Sequence, residues 1–170
     1  MAESVPLDAE TKAVEMPEDH REELRLWLRL LTCSTLIEGE VRRRLRERFD
    51  ISLARFDYMA QLYRQRDGMK MRALSKYLMV TGGNVTGLTD ELSREGLVAR
   101  ESSPTDRRAW IVRLTPKGRR LFETMAEEHE QWILDLFASM DEKAMQLVHA
   151  HLGELRVHLL HQDPSTQDNA

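Results

Sequence analysis

Residues 71–100 read MRALSKYLMVTGGNVTGLTDELSREGLVAR, and this stretch decides the fold. Met71–Leu78 carries Leu74 and Leu78 on one face of a short helix. Met79-Val80-Thr81 breaks that helix as a turn. Gly82–Glu95 resumes a helical rhythm, with Val85, Leu88 and Leu92 at three- and four-residue steps, and Gly96 stands where a C-terminal cap belongs. Leu97–Arg100 follows as a short strand. Its partner is Ala109–Leu114, where Trp110, Val112 and Leu114 alternate, across the polar loop Glu101–Arg108. Helix, turn, helix, hairpin is the order of a winged helix-turn-helix.

Outward from this centre the chain is helical on both sides. From about Asp19 to Phe49 there is no proline and one glycine, Gly39, while Leu24, Trp27, Leu31 and then Leu30, Ile37, Val41, Leu45 recur at helical steps. A helix of about 30 residues is about 45 Å long. That exceeds what a small domain needs for its own core, so part of it is expected to pack on another subunit. Ser52 is placed to cap a second helix that turns Leu53, Phe56, Met59, Ala60 and Tyr63 inward. On the far side, Thr115-Pro116 puts proline at the first position of a helix running to about Met140, with Leu121, Met125, Ile133, Leu136 and Phe137 apolar. Asp141 caps a last helix carrying Ala144, Leu147, Val148, Leu152, Leu155 and Leu159. Neither is able to bury itself alone. The expected fold is mainly α with a small β-hairpin wing. Its winged helix-turn-helix, 51–115, is flanked by helices, 19–50 and 116–162, that form a dimerisation region. The acidic arm 1–18 and the tail 163–170 are expected to be disordered.

The chain has 170 residues and a net charge of −4, which as an average discourages a nucleic-acid partner. The distribution reverses that reading. Residues 64–120 hold 13 Lys/Arg against 6 Asp/Glu, residues 1–63 hold 10 against 13, and residues 121–170 hold 2 against 10. A basic middle lies between acidic flanks. A single cysteine, Cys33, excludes a disulfide framework and any multi-cysteine zinc site. The acidic start lacks a signal-peptide pattern, and no apolar run approaches a membrane span, so a cytoplasmic location and no membrane contact are expected. No Ser/His/Asp order, phosphate loop or metal motif stands out, so neither an enzyme nor a cofactor is expected.

Chemistry concentrates in the helix that starts at Gly82. Opposite Val85, Leu88 and Leu92, its other face is read as Gly83, Asn84, Thr86, Gly87, Thr89 and Asp90. Glycines in a helix cost about 1 kcal/mol each relative to alanine. A small, amide- and hydroxyl-rich helix start can press close to a surface, and its backbone N–H groups favour phosphate. Asn84 can pair with adenine, and threonine methyls suit the thymine methyl. The bland alternative is a loose helix start with capping residues. In the hairpin loop, Arg107 and Arg108 are placed to enter a narrow minor groove; the alternative is a solvated tip where Asp106 pairs with one of them.

These segments resemble the MarR family of bacterial transcription regulators. The resemblance lies in the helix-turn-helix ALSKYLMVTGGNVTGLTDELSREGLVAR, the loop SPTDRRAW, the junction VRLTPKGRRL and the long outer helices. Asp106-Arg107-Arg108 followed by Leu114-Thr115 and Gly118 is its most specific part. The resemblance implies a homodimer formed through the first and last helices, bound to double-stranded DNA. It implies base recognition by Asn84, Thr86, Gly87 and Thr89, with Arg107 or Arg108 at the wing. Arg72 and Ser75 of the preceding helix, Thr81 of the turn, Gly83 and Arg94 complete the expected DNA-binding set. The family's common arginine after the Val-Thr pair is Gly87 here, which removes an expected contact.

The family's effector pocket lies between the first, second and fifth helices. Candidates here are Trp27, Leu31, Ser34, Phe56, Met59 and Tyr63, with Arg43 from the run Arg42–Arg48 beside them; the same residues would also serve a plain core. The GGNVTGL segment is similar to regulators of hydroxycinnamate and aromatic-acid breakdown, which implies a small aromatic effector or an acyl-CoA thioester whose phosphates would meet the arginines. The function expected is a repressor of such genes, released by that ligand. A regulator of stress or efflux genes, and a helical interaction module that docks a protein, are the alternatives. One family branch senses peroxide through a cysteine that would align near Leu28, so Cys33 is read instead as a buried structural thiol. His149, His151, His158 and His161 are read as surface or interface residues, with a metal site as the alternative.

Overall fold

The computed structural model of the chain describes residues 22–78, 82–102 and 110–162. The arm 1–18 and the tail 163–170 lie outside these residues. The elements in chain order are α1 (Glu22–Phe49), α2 (Leu53–Arg64), β1 (Met69–Lys70), α3 (Met71–Tyr77) and α4 (Gly82–Arg94). There follow β2 (Val98–Ser102), β3 (Trp110–Leu114), α5 (Pro116–Phe137) and α6 (Glu142–Gln162). Helices dominate, as the periodicity requires.

The sheet has three strands rather than the expected two. Its order is β1-β3-β2, antiparallel throughout, with Met69 opposite Val112 and a β2–β3 register running from Val98–Leu114 to Ser102–Trp110. A two-residue strand is too short for alternation to reveal it. Gly68 leads into it with φ +84°, and a Cβ there would stand 2.7 Å from both the Ile111 side chain and the Val112 carbonyl oxygen. Only glycine satisfies both demands.

Contacts divide the chain into two compact units, with the boundary between Glu130 and Gln131 inside α5. The first unit has a core in which Leu45, Met59, Leu62, Leu74, Leu92 and Val112 are fully buried. Ser52 caps α2 by accepting from the Arg55 N–H at 3.3 Å. The second unit comprises the end of α5 and all of α6, which starts where Asp141 Oδ1 accepts from the Ala144 N–H at 2.9 Å. No residue of α6 is buried. Val148, Leu152, Leu155 and Leu159 stand exposed at four-, three- and four-residue steps, one apolar stripe along the helix.

On α1 the buried residues are Thr32, Val41 and Leu45. Cys33 is exposed, contrary to the expectation of a buried thiol. It follows Thr32 by one residue, and a helix turns neighbours about 100° apart, so the two cannot share the buried side.

Candidate nucleic-acid interface

The reading helix α4 is anchored at its far end by a joint of short contacts. Gly96, at φ +69°, donates its N–H to the Ser93 carbonyl at 3.0 Å, and Leu97 donates to the Leu92 carbonyl at 2.9 Å. This is a Schellman cap on the glycine that the sequence had marked. Thr115 then locks the cap to α5: its N–H donates to the Leu97 carbonyl at 3.0 Å, its hydroxyl to the Gly96 carbonyl at 2.7 Å. The same hydroxyl accepts from the Gly118 N–H at 3.0 Å. Lys117 Nζ adds a bond to the Glu95 carbonyl at 2.8 Å, supplying positive charge at the helix C-terminus. The Leu114-Thr115-x-x-Gly118 motif is therefore the fastening between α4 and α5.

With its end fixed, α4 turns Val85, Leu88 and Leu92 inward and leaves Asn84, Thr86, Gly87, Asp90 and Arg94 exposed. A Cβ built on Gly87 meets nothing within 4 Å, so no packing within the chain demands a glycine there. Arg72 of α3 is exposed and Ser75 half-buried. Gly83 lies in the first turn of α4. Thr81, Arg107 and Arg108 lie outside the described residues.

Thr89 corrects the expected reading face, because it is fully buried. Four residues after Val85, it lies about 40° from it around the helix, on the core side. Its hydroxyl donates to the Val85 carbonyl at 2.7 Å and lies 2.5 Å from the Tyr58 hydroxyl. Thr89 has one proton and gives it to Val85, so Tyr58 is the donor in the second bond. Burial pushes the Tyr58 phenol up to about 12, which keeps it a donor. Thr89 joins α4 to α2; it does not face a duplex.

Two further residues link α4 to the wing. Arg100 on β2 donates to Asp90 Oδ1 at 2.7 Å, and its guanidinium lies 5.9 Å from the Trp110 ring centre on β3. Trp110 was read from the sequence only as a strand residue and Arg100 as the end of its partner strand, since pairing between separate strands needs the register.

The expected effector wall is only partly assembled. Phe56 and Met59 are buried in the first unit, where Phe56 packs on Phe122 at 5.5 Å and on His129 at 5.0 Å between ring centres. Tyr63 stacks on Phe122 at 4.9 Å, donates to Glu123 at 3.1 Å and lies under the Arg119 guanidinium at 4.8 Å. Trp27, Leu31 and Ser34 are exposed on α1 and do not join this cluster. Burial lowers the His129 pKa and raises that of Asp57, each held back or aided in smaller measure by neighbouring charge.

Arg43 is bound within its own helix. It donates to Glu40 at 2.6 Å and to Glu47 at 2.5 Å, while Arg44 donates to Glu40 at 2.6 Å. These hydrogen bonds, that of Arg43 first, pull the Glu40 carboxyl down to about 2 and raise Arg43 further. Arg42 pairs with Glu38, and Arg48 with Glu128 at 3.1 Å. A cleft of about 340 Å³ opens beside this network, lined by Glu38, Arg42, Arg46, Asp57, Leu78 and Leu88 among others. Among the described residues no group of three or more His, Cys, Asp or Glu side chains is arranged to hold a metal, and no helix is long and apolar enough to cross a membrane.

A helix-turn-helix with a three-stranded wing, long helices on either side and a small, polar reading face defines a winged-helix regulator. The comparisons narrow this class. Residues 49–109 match the family model described as MarR family. A MarR family transcriptional regulator from Silicibacter pomeroyi superposes with a TM-score of 0.71 at 32% identity, covering 85% of this chain and 99% of its own. Sco3205 from Streptomyces coelicolor, a MarR family regulator solved in complex with DNA, shares the fold with a TM-score of 0.74 at 23% identity, over 91% of this chain and 96% of its own. The transcriptional activatory protein BadR of Rhodopseudomonas palustris is 31% identical over 105 residues, 61% of this chain and 59% of BadR. The matches to BadR and to the next curated relative span 59% and 64% of those proteins. The chain belongs to the MarR family of transcriptional regulators.

Proposed function

We propose that the protein is a ligand-responsive, DNA-binding transcriptional regulator that works as a homodimer. Two copies of α4 would enter successive major grooves about 34 Å apart on a pseudo-palindromic site, with the wing in the adjacent minor groove. The observation that carries this reading is Gly87. It stands beside Asn84 and Thr86 on the exposed face of α4, where a glycine costs stability, relieves no crowding within the chain and leaves room for another surface to approach. The basic middle segment supports the same partner. So does the fold shared with Sco3205, which was solved on DNA. The unburied stripe of α6 and the exposed apolar residues of α1 support a second copy as the other partner.

The finer reading is a repressor of aromatic-acid catabolism genes, released by an aryl acid or its CoA thioester. Its support is the GGNVTGL segment and the aromatic cluster around Phe56 and Tyr63. Of the arginines that close α1, Arg42 and Arg46 border the cleft and Arg43 does not, so an anionic ligand seated there would meet Arg42 and Arg46 in competition with their partners Glu38 and Asp50. BadR is described as an activator, so the direction of the output is the first thing to measure.

A gel-shift with the DNA flanking the protein's own gene, with and without aryl acids and their CoA thioesters, tests both levels. A retarded band that weakens with ligand is expected. No band at low salt would sink DNA binding, and a band indifferent to every ligand would sink the finer reading, since a ligand shifts only an equilibrium between states it binds unequally. A promoter–reporter fusion gives the sign of the output.

A further inference from the structure

The exposed face of α4 and the wing are separate elements, and the contacts between them point to a contact residue outside the expected DNA-binding set. In the β2–β3 register Arg100 stands opposite Val112 and Trp110 opposite Ser102, so Arg100 and Trp110 are diagonal neighbours on one face of the sheet. That face is the one Val112 and Leu114 turn to the core. Trp110 continues it past the end of the core, where it is 46% exposed at the root of the wing. Arg100 bridges the gap to α4, with its guanidinium over the indole and one nitrogen 2.7 Å from Asp90.

When a helix fills the major groove and the adjoining wing enters the minor groove, the sugar–phosphate strand that separates the two grooves passes between helix and wing. Trp110 and Arg100 lie between α4 and the root of the wing, where such a strand would run. We propose that Trp110 is a DNA-contact residue whose indole packs on a deoxyribose and whose Nε1–H donates to a phosphate oxygen. Arg100 is its positioning partner and neutralises Asp90, whose carboxylate would otherwise repel the strand. The inference rests on the DNA-binding reading above. Trp fits the role chemically, since it offers a broad apolar face and a single donor with no charge. A contact to the backbone carries no base information. A neutral contact also releases no counterion.

Those two properties define the test. Binding is measured by fluorescence anisotropy on the duplex flanking the protein's own gene and on a scrambled duplex, over a range of salt. Trp110→Ala is expected to weaken both about tenfold with an unchanged salt slope, and Trp110→Phe to weaken them about threefold. Equal affinity of Trp110→Ala and the parent on both duplexes overturns the proposal. So does a loss confined to the native sequence. In case Trp110→Ala fails to fold, the parent is labelled with 5-fluorotryptophan and the fluorine line absent from Trp110→Phe is followed. That line is expected to shift when either duplex is added, and a line that stays in place overturns the proposal. A parent protein that binds neither duplex sinks the DNA-binding reading itself, which is a separate result.

Discussion

The α-carbon of Gly118 sits so close to the Leu97 carbonyl oxygen that a methyl group would overlap it. Leu97 cannot give way, because its carbonyl also accepts from the Thr115 N–H and its N–H closes the cap on α4. Gly118→Ala is therefore expected to destabilise the chain by about 1 to 3 kcal/mol, the range for forced overpacking. Urea denaturation checks it: the midpoint should fall with an unchanged slope.

Gly87→Ala should do the opposite. With nothing within 4 Å of the new Cβ, the substitution is expected to stabilise the free protein by about 1 kcal/mol through helix propensity. Affinity for operator DNA should fall in the same variant. A gain in melting temperature with no change in DNA affinity would contradict the role assigned to this position.

Tyr58 makes stability depend on alkaline pH. Burial raises its folded pKa to about 12 from the ordinary phenol value of 10.0, so the folded state favours the protonated phenol. That contribution is complete below about pH 10 and is lost as the pH rises toward about 12. Tyr58→Phe should flatten the decline in chemical-denaturation stability across this window. At neutral pH it should cost about 1 kcal/mol, because the Thr89 hydroxyl loses its donor.

The stripe on α6 carries a prediction about assembly. Leu152→Glu combined with Leu159→Glu places two carboxylates on an apolar row that the chain itself does not cover. Light scattering after size exclusion is expected to show a dimer for the parent and a monomer for the variant. Operator affinity should drop by about a hundredfold or more, since each half then binds without the help of the other. Helical content by circular dichroism should hold.

Much of this molecule was legible in its sequence wherever the signal was local. The spacing of Val85, Leu88 and Leu92, the cap at Gly96 and the N-caps at Ser52 and Asp141 each lie within one helical turn of the residues they govern. Thr89 was misread by neglecting that four residues bring a helix almost back to the same side. Its bond to Tyr58 and the passage from Asp90 through Arg100 to Trp110 join residues far apart in the chain, and no periodicity encodes them. Strand β1 spans a single period of alternation and so never repeats it. The exposure of Cys33 turned on which side of α1 Thr32 occupies, and an amphipathic helix with a weak stripe leaves that choice to its neighbours.

The arginines that close α1 have one more consequence. Arg42, Arg43, Arg44 and Arg48 each meet a glutamate, and Arg46 lies 4.0 Å from Asp50. Their charge is spent at short range and adds little to the potential far from the surface. The excess of Lys and Arg in residues 64–120 has no such matching count of acids, so the positive long-range field issues from that segment. A polyanion arriving from solution would feel a torque before it felt a contact, and the chain would turn its reading side forward. Affinity is then set by the few groups that touch, while the speed of encounter is set by where the other glutamates stand.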